Sequence, residues 1–123
     1  MSGQINLMGA VFSPNTAKGV AFPVELQWQA AVPLNENYHV FIHLLDNNGQ
    51  VVTQADGQPA QWSRPTSTWI VGETVIDRHG LWIPPDITPG EYELSIGLYL
   101  PVDGRRLDLA RGEESVKFIV TVY

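Results

Sequence analysis

The chain has 123 residues, the length of one domain, with 13 acidic against 7 basic residues and a formal net charge of −6. That balance argues against a nucleic-acid partner, because phosphate binding needs clustered Lys and Arg, and Arg105-Arg106 is the sole adjacent basic pair. Cysteine is absent, which excludes disulfides and thiolate metal sites, and no apolar run approaches the roughly 18 residues of a membrane-spanning helix.

In chain order, Ile5 to Phe12 reads as a first strand, with Gly9 marking a bulge or weak point. Ser13-Pro14-Asn15-Thr16 is turn chemistry. From Val24 to Gln29 the pattern alternates, predicting Val24, Leu26 and Trp28 inward and Glu25, Gln27 and Gln29 outward. The run from Tyr38 to Asp46 is the strongest strand signal, rich in aromatic and β-branched residues. It places Tyr38, Val40, Ile42 and Leu44 on one face and His39, Phe41, His43 and Leu45 on the other. A strand apolar on both faces is covered on both sides, or uses one face for something other than meeting water.

Asp46-Asn47-Asn48-Gly49 predicts a tight hairpin with a glycine bulge, and Gln50 to Ala55 returns antiparallel. Asp56 to Val71 reads as a long loop carrying Trp62 and Trp69, and loops of that length are functional or pack as caps. Glu73 to Asp77 and Leu81 to Ile83 read as two short strands. Pro84 to Gly90 is a stiff connector into a strand alternating Tyr92, Leu94, Ile96 and Leu98 with Glu93, Ser95, Gly97 and Tyr99. Tyr92 just after that corner resembles a tyrosine corner, whose hydroxyl ties back to upstream backbone. Pro101-Val102-Asp103-Gly104 is a further hairpin turn, and Val116, Phe118, Val120 and Val122 form the inward row of a last strand. With no helix signal beyond a turn, about seven to nine short strands predict one antiparallel β-sandwich over residues 1–123.

Catalytic and metal patterns are weak. His39 and His43 stand about 13 Å apart along one strand, too far to share a metal ion. Asp77 and His79 point the same way, without a third ligand at a predictable spacing. Calcium has oxygen ligands available, but no Asp-x-Asp-x-Asp-Gly loop to gather them. Gly-x-Ser-x-Gly and phosphate-cradling glycine loops are absent. The expectation is no enzyme, no cofactor and no metal site.

Aromatics are the better lead. If the Tyr38 and Tyr92 strands pair, Phe41, His43, Ser95, Gly97 and Tyr99 share one sheet face, with Trp62 and Trp69 covering it or standing at its edge. Aromatic platforms beside polar groups hold sugar rings. The competing reading is that Trp62 and Trp69 cap Phe41 and Leu45 as a second small core.

Several runs resemble a recurring bacterial domain: Tyr38-x-Val40-Phe41-x-His43-Leu44-Leu45-Asp46-x-x-Gly49, Gln54-x-Asp56-x-x-Pro59 and Pro65-Thr66-Ser67-x-Trp69-x-x-Gly72-Glu73-x-x-x-Asp77. Pro89-Gly90-x-Tyr92-x-Leu94-x-x-Gly97-Leu98-Tyr99 and Arg106-Leu107 belong to the same pattern. That domain recurs at the carboxyl-terminal, extracytoplasmic ends of membrane glycosyltransferases of the protein O-mannosyltransferase-like type. The resemblance covers nearly the whole chain, with a departure at Gln61-Trp62-Ser63-Arg64, where small residues are usual. It implies an immunoglobulin-like sandwich in an extracytoplasmic setting and no catalysis in this part. The resulting expectation is an accessory domain that binds carbohydrate or glycolipid through Phe41, His43, Asp56, Trp69 and Tyr99. The alternative is a structural or protein-interaction module packed on a parent membrane domain or on a second copy of itself.

Overall fold

A computed structural model describes residues 4–60, 63–109 and 113–123. Its strands are β1 (Ile5–Val11), β2 (Asn15–Thr16), β3 (Ala21–Ala30), β4 (His39–Leu45), β5 (Val51–Gly57), β6 (Val75–Trp82), β7 (Gly90–Tyr99), β8 (Arg106–Leu107) and β9 (Val116–Val122). They form two sheets, β1-β3-β6 and β2-β9-β7-β4-β5, with β8 added beside the end of β7. All pairings are antiparallel except the two-residue contact of β2 with β9. This is the expected immunoglobulin-like β-sandwich.

The inner rows follow the alternation read from sequence. Val24, Leu26 and Trp28 of β3 are buried against Val40, Ile42 and Leu44 of β4 and Leu94, Ile96 and Leu98 of β7 in one core between the sheets. Gly9 does mark a register shift in β1. The Asp46 turn closes as expected: Gly49 sits at φ 76°, and Asp46 Oδ1 accepts from the Asn48 and Gln50 amides at 2.9 and 3.0 Å. The Tyr92 hydroxyl donates to the Thr88 carbonyl, the tie-back of a tyrosine corner.

Three expectations need correction. Asn15–Thr16 is not only a turn but a short strand on β9. The loop after β5 begins at residue 58, since Asp56 and Gly57 pair with Phe41 and Val40. The two short strands expected around Asp77-Arg78-His79-Gly80 are one continuous strand, β6. Those four residues carry turn-like composition, yet Asp77 faces inward opposite Leu26 and is fully buried with its oxygens occupied. Oδ2 accepts from Trp28 Nε1 at 3.1 Å and lies 2.8 Å from His79 Nε2, while Oδ1 accepts from the Ala60 amide at 2.7 Å. A carboxylate with that many donors can occupy a core position at which an unpartnered one would be prohibitive.

Candidate functional site

The outer face of the larger sheet is where the predicted residues meet. Antiparallel register sets His39 opposite Tyr99, Phe41 opposite Gly97 and His43 opposite Ser95 across β4 and β7. On the other side of β4, Phe41 lies opposite Asp56 and His43 opposite Gln54. β8 places Arg106 opposite Tyr99. Directly paired and diagonal neighbours across such strands are within reach of long side chains. One patch therefore collects side chains from β4, β5, β7 and β8.

Within it, the rings of Phe41 and His43 are 4.9 Å apart and those of Phe41 and Tyr99 6.5 Å. His43 Nε2 lies 3.7 Å from Asp56 Oδ1, the diagonal pair that the register predicts. The Arg106 guanidinium stands over the Phe41 ring at 4.3 Å from its centroid, a cation–π contact. Phe41, His43, Asp56, Tyr99, Gly104 and Arg106 line a small depression of about 190 Å³. A neighbouring trough of about 740 Å³ shares His43 and Arg106 and extends over Ser95, Lys117 and Glu114. That volume falls within the roughly 300–1,000 Å³ of ligand clefts.

Glycine makes this face possible. A Cβ on Gly97 would lie 2.5 Å from Phe41 Cζ and 2.6 Å from the Glu114 carbonyl oxygen. With no side chain there, the Phe41 ring and the Glu114 carbonyl both come close against the β7 backbone. Phe41 ends up 2% exposed although it lies on the outer face and outside the main core cluster.

The polar groups feel this partial enclosure. Burial lowers the pKa of His43, helped by the charge of Arg106 and opposed by that of Asp56, so the imidazole is held toward its neutral form. Burial raises the Tyr99 hydroxyl, and the charge of Asp56 and a hydrogen bond to its carboxylate add to the rise. Asp56 thus supplies an acceptor, His43 a donor and an acceptor, and Arg106 a fork of donors at one place.

Of the five expected contact residues, Phe41, His43, Asp56 and Tyr99 come together, and Trp69 does not. Trp69 is 5% exposed, belongs to the core between the sheets, and donates its indole N–H to the Arg64 carbonyl at 2.9 Å. A short 3-10 turn at Thr66–Thr68 delivers it inward, and the buried Thr66 hydroxyl receives the Tyr38 amide at 3.0 Å. Trp62 lies outside the described residues. Phe41 joins the patch as its floor and not as a stacking surface, because Arg106 already occupies its ring.

Sequence reasoning set Arg106 aside as half of the sole adjacent basic pair, two charges being too few for a patch. The signal was present in the predicted Pro101–Gly104 hairpin. Its closure, with Gly104 at φ 74° and the Leu100 amide bonded to the Arg105 carbonyl at 2.8 Å, returns Arg106 beside Tyr99.

Elsewhere, a cleft of about 280 Å³ at the β1 and β9 edge of the sandwich is walled mainly by Leu7, Ala10, Leu109, Val116 and Phe118. Among the described residues, no three His, Cys, Asp or Glu side chains are grouped to hold a metal ion, and no helix is long and apolar enough to cross a membrane.

No protein-family model matches the chain, and no curated protein matches it. Solved structures do. A Niemann-Pick type C2 protein from Japanese carpenter ant aligns over 100% of this chain and 96% of its own, with a TM-score of 0.62 and 8% identity. The alkylpurine DNA glycosylase AlkC of Pseudomonas fluorescens, bound to DNA containing an abasic site analog, aligns over 98% of this chain with a TM-score of 0.59 and 12% identity. This chain spans only 31% of that protein. At such identities the likeness is one of fold.

Proposed function

We propose that the chain is a non-catalytic accessory β-sandwich of an envelope-facing, glycosyltransferase-like protein, and that it binds carbohydrate or a glycolipid headgroup in the trough beside Arg106. The observation that carries this reading is the convergence of His43, Asp56, Tyr99 and Arg106, from four strands, around one small depression that joins the trough of ligand-cleft size through His43 and Arg106. Sugars are recognised by planar polar groups that pair with their hydroxyls and by an aromatic edge or face beside them. Tyr99 with Asp56 supplies both here. The extracytoplasmic setting and the bacterial glycosyltransferase context rest on the motif resemblance, which quotes Phe41, His43, Asp56, Gly97, Tyr99 and Arg106 among its residues. Among the described residues no third metal-ligating group joins Asp77 and His79, and the Asp77 carboxylate is fully buried with both oxygens occupied, which supports a domain without catalysis.

The test is a broad glycan array on the purified chain near neutral pH, followed by titration of any hit. Reproducible binding that Asp56→Asn and Tyr99→Phe weaken by about tenfold, the worth of a lost charge-assisted hydrogen bond, is the expected result. A blank array from well-folded protein refutes it.

A second reading, an interaction module on a parent membrane domain or a second copy, is favoured by one surface feature. Val32, Ile70 and Val71 are all exposed, and the Gly72 amide bonds the Ala30 carbonyl at 3.1 Å, joining the two turns that carry them. Self-association that rises with protein concentration and is lost in Ile70→Ser would support it.

A further inference from the structure

Arg106 differs from the other arginines the structure describes. Arg64 pairs with Glu73 at 2.6 Å, Arg78 with Glu25 at 3.0 Å and Arg105 with Glu36 at 3.9 Å. Arg106 makes no ion pair with any described residue, and its guanidinium is instead held over Phe41. That placement is secured from below. Phe41 is fixed in the cut-out that Gly97 leaves, and Arg106 is pinned to β7 opposite Tyr99. A guanidinium held over a ring face can still donate through its N–H groups. The result is an exposed cation in a chain of net charge −6, pre-organised and without a carboxylate partner among the described residues.

We infer that the trough selects sugars bearing a single acidic substituent, a uronate or a sugar phosphate, with the carboxylate or phosphate on the Arg106 fork. The inference rests on the carbohydrate reading above and narrows it. A planar guanidinium matches carboxylate and phosphate oxygens two at a time, which neutral hydroxyls cannot reproduce. The remaining walls limit the ligand to one such charge. Asp56 lines the adjoining depression with Arg106, and Glu113 and Glu114 line the trough itself, together with Lys117. These acids accept from hydroxyls and repel a second anion, as does the net charge of the protein. Polyanions are therefore poor ligands, and monoacidic sugars good ones.

The experiment titrates the whole chain with matched pairs: glucuronate and glucose, galacturonate and galactose, mannose 6-phosphate and mannose. Inorganic phosphate and acetate serve as anions without a sugar. Affinities come from NMR shift changes, with the His43 ring protons as the local reporter. In at least one pair the acidic member is expected to bind about tenfold tighter or more, as for a charge-assisted bidentate contact, and Arg106→Gln should bring it to the level of its neutral partner. Arg106→Lys keeps the charge over Phe41 without the fork and should retain part of the preference. Equal affinity within every pair that binds overturns the inference and leaves carbohydrate binding intact. No binding by any of these six sugars overturns the inference, and the glycan array then decides the carbohydrate reading. Phosphate or acetate binding as tightly as the acidic sugars also overturns it, since the sugar would then contribute nothing. Because the decisive ratio is read on the unaltered protein, a variant that folds poorly does not blunt the test.

Discussion

Replacing Gly97 by alanine tests whether the site is built on a missing side chain. The added methyl has no room: it would stand 2.5 and 2.6 Å from two Phe41 ring carbons and 2.6 Å from the Glu114 carbonyl oxygen. The ring can yield only by lifting off β7 into the Arg106 guanidinium above it, and the Glu114 contact is with backbone. Overpacking of this kind costs about 1–3 kcal/mol. Alanine recovers about 0.5–1 kcal/mol of that by restricting the unfolded chain and suiting a strand better than glycine. The midpoints of these ranges leave a net loss of about 1 kcal/mol, or roughly 3–6 °C in melting temperature for a domain between the small and medium size classes. Thermal and urea melts followed by circular dichroism measure it. A double-mutant cycle adds specificity: Phe41→Leu removes the two clashing ring atoms, so Gly97→Ala should cost less in that background, by about 0.5 kcal/mol or more. If Gly97→Ala is neutral or stabilising, or its cost is unchanged by Phe41→Leu, the account of a ring seated on glycine is wrong.

The other predictions concern the core and the titration of the patch. Trp69→Ala should destabilise by about 3–5 kcal/mol, as for a buried Trp, while the folded fraction keeps its ligand affinity. Lost binding with an unmoved melting temperature would return Trp69 to the site. Asp77→Asn preserves volume, yet its single oxygen cannot serve both the Ala60 amide on one side and Trp28 and His79 on the other. At least one buried donor is left without an acceptor, a cost of about 1–3 kcal/mol read as a lower urea midpoint at unchanged slope, and an unshifted midpoint refutes it. His43 has a folded pKa below its unfolded value, chiefly from burial, so the unfolded chain binds the proton more readily. Its contribution is intact above the unfolded pKa of about 6.5 and is lost as pH falls from there through the folded pKa. Stability should therefore decline on acidification through that window less steeply in His43→Gln than in the unaltered chain. An equal or steeper decline in the variant would show that Asp56, not burial, governs the imidazole.

Legibility from sequence tracked how local the determining physics was. Alternation in β3, β4 and β7 was readable because side-chain period is a property of the strand alone, and it sorted Leu26 from Gln27 and Ile42 from Phe41 correctly. The β4–β7 pairing then followed, and with it the meeting of Phe41, His43 and Tyr99. Asp77 defeated the same reasoning. Its inward position is tolerable only because Trp28, Ala60 and His79 reach it from other parts of the chain, partners that no local pattern reveals. Trp69 failed for a related reason: a loop tryptophan can face either way, and the Arg64 carbonyl that takes its N–H is part of the same irregular loop. Arg106 was hidden by its composition, two basic residues after a turn, although the hairpin register that places it was itself predictable.

Two polar constellations on this sandwich differ in what they leave to offer a ligand. Around Asp77 the network is closed: both carboxylate oxygens are occupied, and no buried side-chain polar atom among the described residues lacks a partner. A satisfied buried network specifies a core and leaves nothing to offer a ligand. Around Arg106 the arrangement is open. Gly97 gives up a side chain, Phe41 is spent on the outer face, and β8 is added beside β7, and together they hold a guanidinium that forms no ion pair with a described carboxylate. Burying Phe41 alone does not require this, since any apolar side chain from the 113–116 segment would cover the ring without an exposed charge. The acidic sugar proposed above would bring the counter-charge that this cation lacks among the described residues.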